Sequence, residues 1–324
     1  MSTADIKPMA MRDAFLEALL AAMKQNDRIF LLSADFGSPV IDKIRADCPN
    51  RFINVGIAEQ NLINVAAGLS LEGFIVFAYA IAPFITMRCY EQIRVNLSLL
   101  SQVRKMNVNL VGVGAGYSYV VSGPTHQCYE DITIMRAMPA MQVMSPCDHI
   151  TSMALLDTCL KNDGPKYLRF DAQPLPVIYA QAPDMQKGFH VHRKGKQVCL
   201  LATGYMLHTA FKVADNLKSL SISAGVIDLF NLSRFSQDAL AQEIGTYEQL
   251  VTLEEGFSGR GGVDALMFDF TSGRHMNLPI LNIGVNGQYQ FELGNRTELH
   301  EKAGIGADIV TERVRQFLAA RKAA

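Results

Sequence analysis

Glu59 stands in the run Gly56-Ile57-Ala58-Glu59-Gln60-Asn61. A strand-like run, Phe52-Ile53-Asn54-Val55, precedes it, and an apolar helix-like stretch at residues 62–71 follows it and closes near Gly73. The pattern places a carboxyl group at a strand-to-helix turn, beside a segment that should be buried. Ionisation there is costly, so the group tends to hold its proton or share it. That state suits proton exchange with a bound heterocycle. A lone glutamate at a helix start more often serves only the helix dipole, so the reading depends on what accompanies it.

Two further runs accompany it. Gly123-Pro124-Thr125-His126-Gln127, followed by Cys128-Tyr129-Glu130-Asp131, begins with a tight Gly-Pro turn that presents His126 at the start of a helix. A histidine so placed donates to a substrate oxygen or exchanges a proton near neutral pH; the local sequence equally suits a surface-loop histidine. The third run is Phe77-Ala78-Tyr79-Ala80-Ile81-Ala82-Pro83-Phe84, then Arg88-Cys89-Tyr90-Glu91-Gln92-Ile93-Arg94. Aromatic side chains at a strand end stack on planar rings, although core packing is the commoner use of any one of them.

The elements that must position these groups alternate between strand and helix. Residues 11–25 read as a helix, with Phe15, Leu19 and Met23 four residues apart. Strands are expected at 29–34, 74–80, 106–113, 142–144 and 167–170, with helices at 84–105 and 150–161. This is an α/β pattern, a mostly parallel sheet with helices on both faces. It breaks over residues 171–196, which carry Pro174, Pro176, Pro183, Gly188 and Gly195. It resumes with strands at 197–202, 224–229, 250–253 and 279–283 and helices at 206–220, 261–270 and 307–319. The expected organisation is a first domain at 1–180, a linker at 181–196 and a smaller α/β domain at 197–324.

Composition narrows the function. A chain of 324 residues, 49% hydrophobic, buries a sizeable core, and a net charge of -1 offers no footing for nucleic acid or an anionic membrane. No apolar run approaches the roughly 20 residues of a membrane span. Residues 1–10 show no secretory signal. Cys48, Cys89, Cys128, Cys147, Cys159 and Cys199 are scattered without a CxxC pair. They read as reduced, mostly buried thiols of a cytoplasmic protein rather than zinc ligands.

Taken together, Gly-Ile-Ala-Glu-Gln at 56–60 and Gly-Pro-Thr-His-Gln at 123–127 make the chain resemble the C-terminal half of transketolase, from Met11 to about residue 318. The first domain resembles the pyrimidine-binding domain of thiamine-diphosphate enzymes. The second resembles the transketolase C-terminal domain, most recognisably at Thr252-Leu253-Glu254-Glu255-Gly256 and Gly259-Arg260-Gly261-Gly262. The resemblance implies that Glu59 bonds the pyrimidine N1' of thiamine diphosphate, favouring the imino form that activates the thiazolium ring. It implies that Phe84 stacks on the aminopyrimidine and that Asp35 and Ile81 lie beside the cofactor. His126 matches a histidine on the donor sugar's oxygens, Arg169 an arginine at the substrate phosphate, and Arg12 and Ser38 possible companions to it. A guanidinium fork suits a phosphate.

One expected part is missing. The family's divalent metal, which holds the diphosphate, takes ligands from a Gly-Asp-Gly stretch and a later Asn. No Gly-Asp-Gly occurs, and Asp-Gly appears only at Asp163-Gly164. A hard cation needs several oxygen ligands grouped together. The resemblance therefore implies an N-terminal partner subunit that carries the diphosphate and its magnesium or calcium, in a heterotetramer of two chains of each kind.

The chain also departs from the family where sugars are read. Ser122 replaces an acidic residue before Gly-Pro-Thr-His, and Gly114 stands where many members carry a histidine. The expected reaction is transfer of a two-carbon ketol unit from a ketose, or ketose phosphate, to an aldose, with an unusual donor or acceptor. Three other readings stay open. A deoxyxylulose-phosphate-synthase-like enzyme shares the Glu59 motif. A 2-oxo-acid dehydrogenase beta-like subunit shares the two-domain plan but not Gly-Pro-Thr-His-Gln. A non-catalytic scaffold would have no need of Glu59. Arg260 and its glycines read as an anion-binding turn or a tight connection, and His190, His192, His208, His275 and His300 show no ligand spacing.

Overall fold

A computed structural model describes Thr3 and residues 6–323; the outer ends of the expected domains, residues 1–2, 4–5 and 324, lie outside the described residues. Helix α1 (Met11–Gln25) buries Phe15, Leu19 and Met23 along one stripe, as their spacing requires. It leads into a six-stranded parallel sheet of β1 (Ile29–Ser33), β2 (Phe52–Asn54), β3 (Ile75–Ile81), β4 (Asn107–Val113), β5 (Gln142–Met144) and β6 (Lys166–Phe170). Every residue of β4 and β6 is buried, so both strands are covered on their two faces. The strand order is β2-β1-β3-β4-β6-β5, so the chain departs from β1 to either side. Ligands of such sheets bind at this reversal, beyond the carboxyl ends of the strands. Helix α2 (Pro39–Asp47) begins on a Ser38 cap with proline in its first turn, and α3 (Glu59–Leu71) follows β2.

The second sheet is five-stranded: β7 (Phe189–Arg193), β8 (Val198–Ala202), β9 (Ala224–Leu229), β10 (Gln249–Phe257) and β11 (Ile280–Val285), in the order β11-β10-β8-β9-β7. All its pairings are parallel except β7, which runs antiparallel to β9. Residues 189–193 were expected as linker and are instead this edge strand. A short edge strand carrying His190, His192 and Arg193 lacks the apolar run that marks an interior one. Among the described residues no helix is long and apolar enough to cross a membrane, and the six cysteines are free and buried.

The helix expected at 84–105 is a succession of short pieces: π turns at Phe84–Arg88 and Ile93–Leu99, a single α turn at Tyr90–Gln92 and a 3-10 turn at Leu100–Gln102. Side-chain donors compete with the backbone here. Thr86 Oγ1 donates to the Ala82 carbonyl (2.7 Å) and Cys89 Sγ to that of Ile85 (2.9 Å). Such π turns gather at functional sites. The sequence reading also missed α2 and the helices Asp131–Arg136, Gln237–Ile244 and Arg296–Ala303.

A buried ion network closes the two sheets on each other. Arg296 donates to Glu255 through Nε (2.9 Å) and Nη2 (2.5 Å), and to Asp171, just past β6, through Nη1 (2.5 Å). Its guanidinium lies 3.5 Å from the Tyr205 ring centroid, and His300 also meets Glu255. Arg169 of β6 donates to the Glu255 carbonyl (2.9 Å) and to Asp131 (2.7 Å). Burial alone would raise the Glu255 pKa, but Arg296 and His300 outweigh it and hold the carboxylate well below its ordinary value of 4.5. A depressed carboxylate stabilises the fold above its unfolded pKa and loses that contribution as pH falls through the folded one. Arg296→Met leaves buried Asp171 without its cation and Glu255 with only His300, a loss of about 3–5 kcal/mol. Urea midpoints should fall accordingly at pH 7, and the gap to the wild type should narrow below the ordinary carboxylate range.

Candidate active site

The carboxyl ends of β1 to β4 deliver the site. Asn54, the last residue of β2, ties two of them together: its Oδ1 accepts from the Asp35 N–H (3.1 Å) and the Gly56 N–H (3.0 Å), and its Nδ2 donates to Asp35 Oδ1 (2.9 Å). Asp35 takes a positive φ of 55° and Gly56 one of 76°, so the chain turns sharply and starts α3 at Glu59. Asp35 is exposed and serves this turn.

Glu59 is 6% exposed. It was expected beside a buried segment, holding or sharing its proton, and it is ion-paired: Arg88 Nη1 donates to Glu59 Oε1 at 2.8 Å. The Arg88 guanidinium carbon lies 3.6 Å from the Phe84 ring centroid, and the Arg88 carbonyl accepts from Gln60 Nε2 (3.2 Å). On the same ring, His126 makes an edge contact at 5.3 Å. His126 Nδ1 shares a hydrogen bond with Thr125 Oγ1 (3.0 Å), and its ring lies 6.3 Å from Tyr119. The structure thus joins Glu59, Arg88, Phe84, His126 and Tyr119 in one chain of contacts. Ile81 closes β3 beside it, partly buried.

His126 does not open a helix as expected. It sits in a turn, its N–H donating to the Gly123 carbonyl (3.1 Å), and the next helix begins at Asp131. Gly123, at a φ of 72°, opens that turn, and the chain pairs Cys128 with Gly116 before turning helical. Ser122 is exposed just ahead of it.

The expected phosphate-binding residues separate. Arg169 is 2% exposed and spends its guanidinium on Asp131 and the Glu255 carbonyl. Burial works against its charge, and Asp131 overcomes that and raises its pKa above the ordinary range. It lies buried at the domain junction, where one carboxylate oxygen takes its Nε and backbone carbonyls take its Nη2. Ser38 Oγ accepts from the Ile41 N–H (3.3 Å) as the cap of α2. Arg12 remains nearer the site: it pairs with Asp13 (2.9 Å), lies 6.0 Å from the Phe36 ring centroid, and its charge acts on Tyr79 and Tyr119. Burial raises the Tyr119 pKa, and Arg12 opposes that rise.

Tyr119 was not foreseen, and neither were Arg88 and Asn54 as working residues. Tyr119 explains Gly114. A Cβ built at Gly114 would stand 2.1 Å from Tyr119 Cε2, and Gly114 has a φ of 107°. The room that a side chain at 114 would need is filled by Tyr119, which meets His126 from that side. Elsewhere the chemistry closes on itself. The N–H groups around Arg260 are taken by carboxylates, those of Val263 and Asp264 by Glu254 Oε1 (2.7 and 3.2 Å) and that of Gly259 by Asp264. The loop is therefore a tight connection rather than an open anion site. Asp163 pairs with Lys105 (3.1 Å) in a surface turn. Among the described residues no group of three or more His, Cys, Asp or Glu is placed to hold a metal ion.

Residues 7–177 match the transketolase pyrimidine-binding domain and residues 188–310 the transketolase C-terminal domain. The chain belongs to the transketolase family, with these two domains in that order. It is 30% identical over 299 residues to the 6-deoxy-6-sulfo-D-fructose transketolase subunit SqwH of Clostridium sp. (strain MSTE9), covering 92% of this chain and 91% of that protein. It is 29% identical over 310 residues to a putative transketolase C-terminal section of Methanocaldococcus jannaschii, covering 94% and 95%. Among solved structures it is similar to a split-gene transketolase described as an inactive beta4 tetramer, with 31% identity, a TM-score of 0.84, and coverage of 97% of this chain and 99% of that one.

Gly114→Ala tests the local packing. Placing a side chain at a positive φ costs about 1–3 kcal/mol by itself, and displacement of Tyr119 adds to it. In a Gly114→Ala/Tyr119→Ala pair, the double variant should be less destabilised than the sum of the singles, because the clash vanishes and the backbone strain remains. Additive losses in chemical denaturation would show that Tyr119 does not fill that space.

Proposed function

We propose that this chain is the cofactor-activating subunit of a thiamine-diphosphate-dependent transketolase. Transketolases depend on that cofactor, and one observation carries the reading here: Glu59 and the Phe84 face jointly hold a flat, nitrogen-bearing group. Arg88 fills that seat, stacked at 3.6 Å and donating at 2.8 Å. A six-membered aminopyrimidine asks for the same pair, an apolar face and a carboxyl group at a ring nitrogen, so the residues present fit this end of the cofactor.

When bound, thiamine diphosphate supplies the carbon nucleophile that opens a ketose and carries its two-carbon fragment. Glu59 holds the shared proton at the pyrimidine nitrogen, and its burial strengthens that bond by excluding water. Phe84 fixes the ring plane, with Ile81 beside it. His126, partly buried between Phe84 and Tyr119, donates to a hydroxyl or carbonyl oxygen of the sugar. Arg12 offers its charge to an anionic end of the substrate. Ser122 and the Gly114–Tyr119 arrangement shape the remaining sugar contacts, which favours a donor or acceptor other than the standard pentose phosphates.

A partner completes the site. Several relatives are themselves subunits or sections of split transketolases, and the similar tetramer of one kind of chain is described as inactive. Both facts support an N-terminal subunit that carries the diphosphate and its magnesium or calcium ligands, in a heterotetramer of two plus two.

The test is reconstitution with an N-terminal transketolase chain, thiamine diphosphate and magnesium. The expected result is ketol transfer from a phosphorylated or sulfonated ketose, without release of carbon dioxide from pyruvate. Carbon dioxide release would favour the deoxyxylulose-phosphate-synthase-like or 2-oxo-acid dehydrogenase-like readings. Pentose phosphates turned over as well as any other sugar would remove the argument from Ser122 and Gly114. Glu59→Ala should lower kcat by about 10²–10⁴-fold with folding intact; unchanged turnover would refute the assignment of Glu59.

A further inference from the structure

We propose that Arg88 is a placeholder for the aminopyrimidine ring: in the cofactor-free chain its guanidinium occupies the seat between Glu59 and Phe84, and it must swing out for the cofactor to enter. The inference rests on the functional reading above and goes beyond it.

The guanidinium is planar, delocalised and forked, the features that let a flat heterocycle stack on an aromatic face and meet a carboxyl group edge-on. It satisfies both demands of the seat at once, at 3.6 Å from the Phe84 centroid and 2.8 Å from Glu59 Oε1. Both partners would otherwise be poorly served. Glu59 is nearly buried and is ion-paired with Arg88; without that guanidinium a buried carboxylate loses its charge partner.

The same geometry makes the contact easy to give up. The Arg88 side chain is 46% exposed, on a flexible stem at the mouth of the seat. It leaves into water rather than into protein. Phe84 and Arg88 sit at the two ends of a single π turn, so stacking forms within one local element and needs no rearrangement elsewhere. A half-exposed ion pair and an exposed cation–π contact are weak individually. They hold the seat against water and yield to a ring that makes both contacts and brings a diphosphate as well.

The apparent affinity of a site open only a fraction of the time falls by that fraction. Arg88→Met keeps the stem and removes the guanidinium. By isothermal titration on the reconstituted pair, the thiamine diphosphate Kd should tighten by about 10-fold if the seat is open about one tenth of the time. Arg88→Lys, which keeps charge but loses the flat fork, should fall between Met and the wild type. In the chain without its partner, Arg88→Met should lower Tm by stranding Glu59, and Glu59→Gln added to it should restore Tm. Unchanged or weaker cofactor binding by Arg88→Met and Arg88→Lys, with wild-type binding intact, overturns the placeholder alone. Failure of the wild-type pair to bind thiamine diphosphate at all overturns the functional reading and this inference together.

Discussion

In a parallel sheet every strand ends on the same edge, and the site depends on that constraint. Asp35 follows β1, Asn54 closes β2, Ile81 closes β3 and Gly114 follows β4, so residues far apart in sequence meet without any long-range design of the loops. The strand order places β1 between β2 and β3, which opens the crevice where Glu59 faces the Phe84 turn. The Asn54–Asp35 hydrogen bonds then fix the two nearest strand ends to each other. Loosening the sheet at this edge would move the carboxyl group and the aromatic face independently, and a seat that must meet one flat ring from two sides tolerates little of that.

The second domain contributes rigidity through buried charge. Neighbouring residues of β10 meet opposite fates. Glu254 is pushed up to about 7, first by burial and then by Asp264, and its Oε2 has no hydrogen-bond partner. Glu255 is held far below the ordinary range by Arg296 and His300, despite equal burial. The difference is the cation, not the depth. Through Arg169, Asp171 and Arg296 the Glu255 network reaches from β6 to β10, and an apolar cluster containing Ile132, Leu229 and Met267 runs across the same junction. A residue like Arg169, readable from the sequence as a phosphate contact, becomes an internal strut once a carboxylate and a carbonyl surround it.

What the sequence conveyed follows from period and burial. Strands such as β3 and β8 announce themselves by continuous apolar runs, and α1 by its four-residue stripe. Polar or short elements did not: α2 is nine residues with a buried stripe of Val40, Ile41 and Ile44 among charges, and β7 is an edge strand carrying two histidines. The broken helix at 84–102 was invisible because side-chain back-bonding, not composition, interrupts it. Glu59, Phe84 and His126 were legible as motif residues and do converge. Arg88 stands in the aromatic run yet suggested no role, because an arginine on a helix face reads as solvated until its ring and its carboxylate are both in view. Tyr119 was hidden behind Gly114: an absent side chain signals an intruder only in three dimensions.

The mouth of the seat bears on the proposed partnership. Ile57, two residues before Glu59, is 75% exposed, and Val121, two before Gly123, is 74% exposed; Met87 beside Arg88 is exposed as well. Each of these apolar side chains adjoins a residue of the cofactor seat or of the His126 turn. Scattered surface apolar residues need no explanation, but these three lie within two residues in sequence of Glu59, Arg88 or Gly123. On the proposed function, a ring cofactor held here by one end would leave its charged end to a second chain, which would cover the Glu59 side of the site. The half-exposed Arg88 fits that arrangement, since a placeholder that opens toward solvent closes the seat only until something better covers it.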